Sequence, residues 1–157
     1  YDNLLVVQTF SKSRSLAGMR VGYAMGQKEL IQALHNVKYS YNSYTMNMPS
    51  MILGTEAVKD EAYFQETTRR IIATREEAKR RLGDLGFTCT DSRTNFLFIT
   101  HEKAAAPELF EALKNNGIYV RYFPASRTKD YLRVTIGTEE EMEVLYKFLE
   151  SSCLDRI

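Results

Sequence analysis

Two cysteines are all that this chain of 157 residues contains, and Cys89 and Cys153 lie far apart with no metal-type spacing. A disulfide framework and a cysteine-ligated metal site are therefore excluded, and both thiols read as small buried groups, reduced in a cytoplasmic protein. The two histidines, His35 and His101, stand on separate segments, and both are expected to face solvent. Net charge is scarce as well, since 21 basic and 20 acidic side chains leave only +1. That balance gives no electrostatic reason to expect nucleic acid or an acidic membrane surface as partner. No apolar run approaches the length of a membrane span, and the N-terminus lacks a signal-peptide layout. Internal repeats and low-complexity segments are missing too. What remains is an ordinary globular composition, 44% hydrophobic and 26% charged, on a chain long enough to build a core.

Periodicity divides the chain into two pieces. Residues 4–8 begin with Leu4-Leu5-Val6-Val7, a continuous apolar run of the kind parallel sheets bury on both faces. A chain that opens inside such a strand is expected to be cut from something longer. A turn rich in serine, lysine and arginine follows, and residues 20–24 read as a second strand ended by Gly26. Residues 28–37 have helical spacing, with Leu30, Ile31, Leu34 and Val37 on one face. Residues 39–49 are polar, aromatic and irregular, which predicts a loop, and Pro49 then opens a helix to about residue 60.

A long helix is predicted over residues 62–85, with Phe64, Ile71, Ala78, Leu82 and Leu85 on one stripe and Gly86 as its stop. Its charges run Glu66→Arg70, Glu76→Arg80 and Glu77→Arg81 on a solvated face, each pair contributing about 0.2–0.5 kcal/mol. Beyond Thr88 the pattern changes to a strand over 95–99, a helix opened by Pro107 and closed by Gly117, and strands over 118–123 and 131–136. A last helix starts at Thr138-Glu139-Glu140-Glu141, a capping box, with Met142, Leu145, Tyr146, Leu149 and Cys153 on its buried stripe. This order predicts a small α+β unit, with helices against one face of a largely antiparallel sheet. The boundary between the two pieces is expected within the long helix, near residues 60–75.

The chemistry concentrates at Thr9-Phe10-Ser11-Lys12-Ser13-Arg14-Ser15-Leu16-Ala17-Gly18-Met19-Arg20-Val21-Gly22. Lys12 follows the first strand, where open α/β sheets place their ligand crevice. A lysine partly desolvated there would lose proton affinity, as bonding to an aldehyde at neutral pH requires. The hydroxyls of Thr9, Ser11, Ser13 and Ser15 are candidate phosphate donors, and Arg20 can grip two phosphate oxygens at once. The bland alternative is a serine-rich surface turn. In the later piece, strand alternation points Leu132, Val134 and Ile136 to one face and Tyr131, Arg133 and Thr135 to the other. An arginine on a short strand suits bidentate recognition of a carboxylate or phosphate, or else a surface ion pair.

The stretch from Thr9 to Gly22 closely resembles the lysine motif of the fold-type I pyridoxal-phosphate aminotransferases. Thr94-Asn95-Phe96, Gly117-Ile118-Tyr119-Val120-Arg121 and Tyr131-Leu132-Arg133-Val134-Thr135-Ile136-Gly137-Thr138 look like the histidinol-phosphate branch of that family. The resemblance implies an α/β fold, with residues 1–65 from the C-terminal part of the large, cofactor-binding domain. Residues 66–157 would be the small α+β domain, joined through the long helix. It further implies pyridoxal 5'-phosphate as cofactor, with Lys12 as the catalytic residue that bonds it and shuttles the substrate proton. Thr9, Ser11 and Arg20 fall where the family holds the cofactor phosphate. Arg133 and Arg121 fall where the substrate's anionic group is bound, and Asn95 lies where it could orient a ligand. No metal is implied.

The implied reaction moves an amino group between histidinol phosphate and 2-oxoglutarate in histidine biosynthesis, in a cytoplasmic homodimer whose partners are small amino and keto substrates. One departure from the family pattern is Tyr39-Ser40, which stands before Tyr41-Asn42 where the family usually has Pro-Pro. Only eleven residues precede Lys12, so the aspartate that keeps the pyridine nitrogen protonated has no counterpart here. The expectation is a C-terminal portion of such an enzyme, inactive alone. Competing expectations are another class I/II aminotransferase, a threonine-phosphate decarboxylase relative, the ligand-sensing domain of a transcription regulator, or a non-catalytic packing domain.

Overall fold

The apolar run near the N-terminus becomes strand β1 (Leu5–Thr9) in the computed structural model, which describes residues 1–151. A four-residue helix α1 (Phe10–Ser13) and a 3-10 turn at Ala17–Met19 separate it from β2 (Gly22–Gly26). The two strands pair antiparallel, with Leu5 opposite Gly26 and Thr9 opposite Gly22. This corrects the expectation of a doubly buried parallel strand, because Val7 is 70% exposed. An apolar run signals a strand but carries no information about the direction of its partner.

Helix α2 (Lys28–Tyr41) runs four residues beyond its expected end at 37, into the segment read as loop. Helical bonding continues there: the Asn42 N–H donates to the Lys38 carbonyl at 2.8 Å, and Ser40 Oγ donates to the Asn36 carbonyl at 2.7 Å. Helix α3 (Met48–Lys59) opens with Pro49 in its first turn, as expected. Its N-cap is Asn47, whose Oδ1 accepts from the Ser50 N–H at 2.8 Å. Helix α4 (Glu61–Asp84) ends before Gly86, whose φ of +84° is a conformation glycine adopts without strain.

The described chain falls into two units, one of Tyr1–Thr68 and one beginning at Arg69. In the first, burial is sparse and centres on Phe10, Val21, Ser50 and Gly54. The second has a full core. It contains β3 (Phe87–Cys89), β4 (Phe96–His101), α5 (Ala106–Asn115), β5 (Arg121–Tyr122), β6 (Leu132–Thr135) and α6 (Glu139–Ser151). The strands form one antiparallel sheet in the order β3-β4-β6-β5. Leu97 and Ile99 of β4 and Leu132 and Val134 of β6 are buried, as period-two alternation requires, together with Leu82, Leu109, Leu113, Met142, Leu145 and Leu149. Each fully buried leucine of this kind contributes about 1.5–3 kcal/mol.

Three details of this unit differ from the sequence expectation. Strand β3 was not foreseen, being only three residues long. Strand β5 spans two residues rather than 118–123, because the Ile118 N–H closes the end of α5 by donating to the Leu113 carbonyl at 2.9 Å. His101 is half-buried rather than solvent-facing, its ring 4.8 Å from that of Phe87. The capping box is present as expected: the Thr138 N–H donates to Glu141 Oε2 at 2.8 Å, and the Glu141 N–H donates to Thr138 Oγ1 at 3.3 Å. Cys153 lies outside the described residues. Cys89 is half-buried, and burial pushes its thiol up, which disfavours the reactive thiolate.

The ion pairs on α4 also differ in partner. Arg80 bonds Glu77 and Asp84, Arg81 reaches Glu143 and Glu150 of α6, and Glu76 bonds Arg75 and Lys79. Arg75 was not singled out by sequence and is only 5% exposed; its guanidinium donates to the Thr94 carbonyl at 3.1 Å. This stripe is therefore not a purely solvated face.

Candidate active site

Thr9 ends β1 and caps α1, and its side chain organises the lysine turn. Its Oγ1 accepts from the Ser11 N–H at 3.1 Å and donates to Ser11 Oγ at 2.8 Å. Ser13 Oγ donates back to the Thr9 carbonyl at 2.9 Å. Arg20 follows the 3-10 turn with φ 55° and ψ 40°, and its guanidinium donates to the Ala17 carbonyl at 2.9 Å. Thr9, Ser11 and Arg20 line one shallow depression of about 430 Å³, together with Gln8, Gly22 and Tyr23. Gly22 lets β2 approach β1 closely there, since a Cβ would stand 2.9 Å from the Gln8 carbonyl oxygen. Lys12 sits beside Ser11 on α1 but is not part of that lining, and it is exposed rather than desolvated in this chain.

Helix α3 supports this turn through residues that sequence reasoning passed over. Ser50 Oγ donates to the Met19 carbonyl at 2.7 Å. Gly54 lies against Phe10 and Val21, where an added Cβ would meet ring and methyl carbons at 3.7–3.9 Å. Arg14 donates to the Ala57 carbonyl at 3.1 Å, lies 3.6 Å from Glu61 and covers the Phe64 ring at 3.8 Å. Ser50, Gly54 and Ala57 are small residues at the spacing of one helix face, a signal that could have marked α3 as the support.

In the second unit, Arg121 and Arg133 are directly opposed across β5 and β6. Opposed residues of a strand pair project from the same face, and like charges there repel unless an anion lies between them. The Arg133 guanidinium lies 4.4 Å from the Phe96 ring centre and 5.3 Å from that of Phe123, and Arg121 lies 5.5 Å from Phe123. Arg133 Nε is buried without a hydrogen-bond partner. Paired cations over aromatic rings with one buried donor unused form an arrangement that an anion could satisfy. Asn95 is half-buried just before β4, and its carbonyl accepts from the Ile136 N–H at 2.9 Å.

Thr9, Ser11, Lys12 and Arg20 are thus gathered in one short segment of the first unit, while Arg121, Arg133 and Asn95 belong to the second. Among the described residues no group of histidine, cysteine or acidic side chains could hold a metal ion. Among them, too, no helix is long and apolar enough to cross a membrane.

Comparison with known proteins adds an independent line. Residues 1–149 match the family profile described as aminotransferase class I and II. A histidinol-phosphate aminotransferase of Brachyspira hyodysenteriae is 56% identical over 144 residues, which are 92% of this chain and 41% of that protein. The chain thus spans less than half the length of the curated relatives it matches. Among solved structures, a Sinorhizobium meliloti histidinol-phosphate aminotransferase in complex with pyridoxal-5'-phosphate superposes with TM-score 0.81 at 26% identity, covering 96% of this chain and 42% of that one. The Clostridium acetobutylicum histidinol-phosphate aminotransferase shares the fold at TM-score 0.89 and 20% identity, covering all of this chain and 47% of its own. The α/β architecture is that of these fold-type I enzymes, and the chain belongs to the aminotransferase class I and II family.

Proposed function

We propose that this chain carries the cofactor lysine and the substrate arginines of a pyridoxal-phosphate-dependent histidinol-phosphate aminotransferase. The observation that carries this reading is the donor set around the lysine turn. Two hydroxyls and a guanidinium share one depression directly beside Lys12, in a chain 56% identical to such an enzyme. That set fits a phosphate chemically: two hydroxyls and a forked cation line one depression, and a dianion needs several donors at once. Thr9, Ser11 and Arg20 would hold the cofactor phosphate, and Lys12 would hold the cofactor at its aldehyde carbon.

When bound, pyridoxal phosphate supplies an electron sink for the pair left behind as the substrate's α-carbon loses its proton. Lys12 Nζ, set free when the substrate amine replaces it at the aldehyde carbon, would take up that proton, a role its exposed place on α1 would allow. Arg133 binds the anionic end of the substrate bidentately from its place over the Phe96 ring, and Arg121 assists from the facing strand. A pair of arginines suits an enzyme that must accept both a phosphorylated amine and glutamate in turn. Asn95 orients the bound ligand.

In this reading residues 1–65 belong to the large cofactor-binding domain and residues 66–157 to a small C-terminal α+β domain reached through α4. The division of the chain near Thr68 supports that placement. The working enzyme would be a cytoplasmic homodimer acting on small amino and keto substrates. The test is transfer of the amino group from histidinol phosphate to 2-oxoglutarate by a protein carrying these residues at the full length of its relatives. Lys12→Ala should abolish turnover, and Arg133→Ala should raise KM for both substrates by about tenfold or more, the loss of one charged contact. Full turnover by the lysine variant, or an unchanged KM in the arginine variant, would contradict the assignment.

A further inference from the structure

We propose that Ser50 is a positioning residue that holds Arg20 in the left-handed conformation from which its guanidinium serves the phosphate depression. The inference rests on the reading of Arg20 as a phosphate ligand and adds the device that sets its aim. Arg20 and Ser15 are the two non-glycine residues with positive φ among the described residues, at 55° and 56°. A side chain resists that region, so something in the surroundings must hold it there. For Arg20 the candidate is a part-buried contact made from α3. The Met19 carbonyl ends the 3-10 turn without an onward helical partner, and Ser50 Oγ donates to it at 2.7 Å.

The peptide between Met19 and Arg20 is planar and turns as one body. Returning Arg20 to negative φ by flipping that plane would swing the Met19 carbonyl away from Ser50 and break the bond. Ser50 itself cannot follow: it is 1% exposed, and its N–H is fixed on Asn47 Oδ1 at 2.8 Å in the first turn of α3. The chain of constraint therefore runs from Asn47 through Ser50 and the Met19 carbonyl to Arg20, which lines the depression and whose guanidinium donates to the Ala17 carbonyl.

The test compares pyridoxal 5'-phosphate with pyridoxal, which lacks the phosphate, as ligands of the chain by absorbance titration. The variants are Ser50→Ala, Arg20→Met and the double substitution. Ser50→Ala should lose about tenfold in preference for the phosphorylated aldehyde, the scale of one misaligned charged contact, while pyridoxal binds as before. In the Arg20→Met background it should change that preference no further. Equal weakening toward both aldehydes, or a loss that adds to that of Arg20→Met, would reduce Ser50 to packing and overturn the proposal. Amide hydrogen exchange reads the same device without ligand: exchange over residues 19–22 should quicken in Ser50→Ala, and unchanged exchange there would also overturn it. If the unsubstituted chain shows no preference for the phosphate, the reading of Arg20 as a phosphate ligand fails, and the exchange experiment still decides whether Ser50 holds the turn.

Discussion

Burial pushes the Tyr146 hydroxyl from its ordinary value near 10 up to about 12, the nearby Arg81 guanidinium offsetting part of the effect. The same hydroxyl is buried without a hydrogen-bond partner, and Arg81 lies 4.1 Å from the centre of its ring. Between pH 10 and about 12 an unfolded chain has released this proton while the folded chain retains it, so stability falls as pH rises through that window. Tyr146→Phe removes a buried polar group that bonds to nothing. The urea midpoint at pH 7 should stay level or rise, and the alkaline loss should become shallower. A drop at pH 7 of about 1 kcal/mol, the size of a lost hydrogen bond, would show that the hydroxyl is bonded after all. Sequence could place Tyr146 on a buried stripe, and did. It could not show an unbonded hydroxyl, which depends on what α4 brings alongside.

Elements were most legible where local chemistry decides them. The capping box at Thr138 was readable because both of its hydrogen bonds form within one turn, between residues three apart. Thr138→Ala should lower unfolding stability by about 1 kcal/mol, measured by urea denaturation, and an unchanged midpoint would mean that α6 is held by packing alone. The stops at Gly86 and Gly117 were readable for the same reason, both glycines adopting positive φ just past a helix end. What sequence misplaced was set by distant partners. Residues 118–120 carry a strand pattern, yet Ile118 gives its N–H to the preceding helix. Helix α2 continued into a tyrosine-rich stretch because helical bonding outweighed a composition typical of loops. The lysine turn itself was legible residue by residue from Thr9 to Gly22, whereas its support joins residues far apart in sequence, 31 positions for Ser50 with Met19 and 43 for Arg14 with Ala57.

At the scale of the whole chain, the two units differ in how well they are buried. The sheet and helices beyond Arg69 enclose a continuous core, and their sequence signals were accordingly strong. The first unit leaves Val7, Val37, Met25 and Ile52 substantially exposed, so apolar patterning there named strands and helices without fixing what they pack against. The proposed chemistry was read from the sequence as residues, Lys12 with Thr9, Ser11 and Arg20 in the first unit and Arg121 with Arg133 in the second, whereas the opposition of the two arginines and their aromatic neighbours came from the fold. The central element of that chemistry is Lys12, and one measurement addresses it most directly. The chain is treated with pyridoxal 5'-phosphate, the product is reduced with borohydride, and the modified residue is located by peptide mass spectrometry. The account predicts one dominant adduct at Lys12, suppressed by inorganic phosphate and lost in Lys12→Ala. Label spread evenly over the surface lysines, unaffected by phosphate, would contradict it.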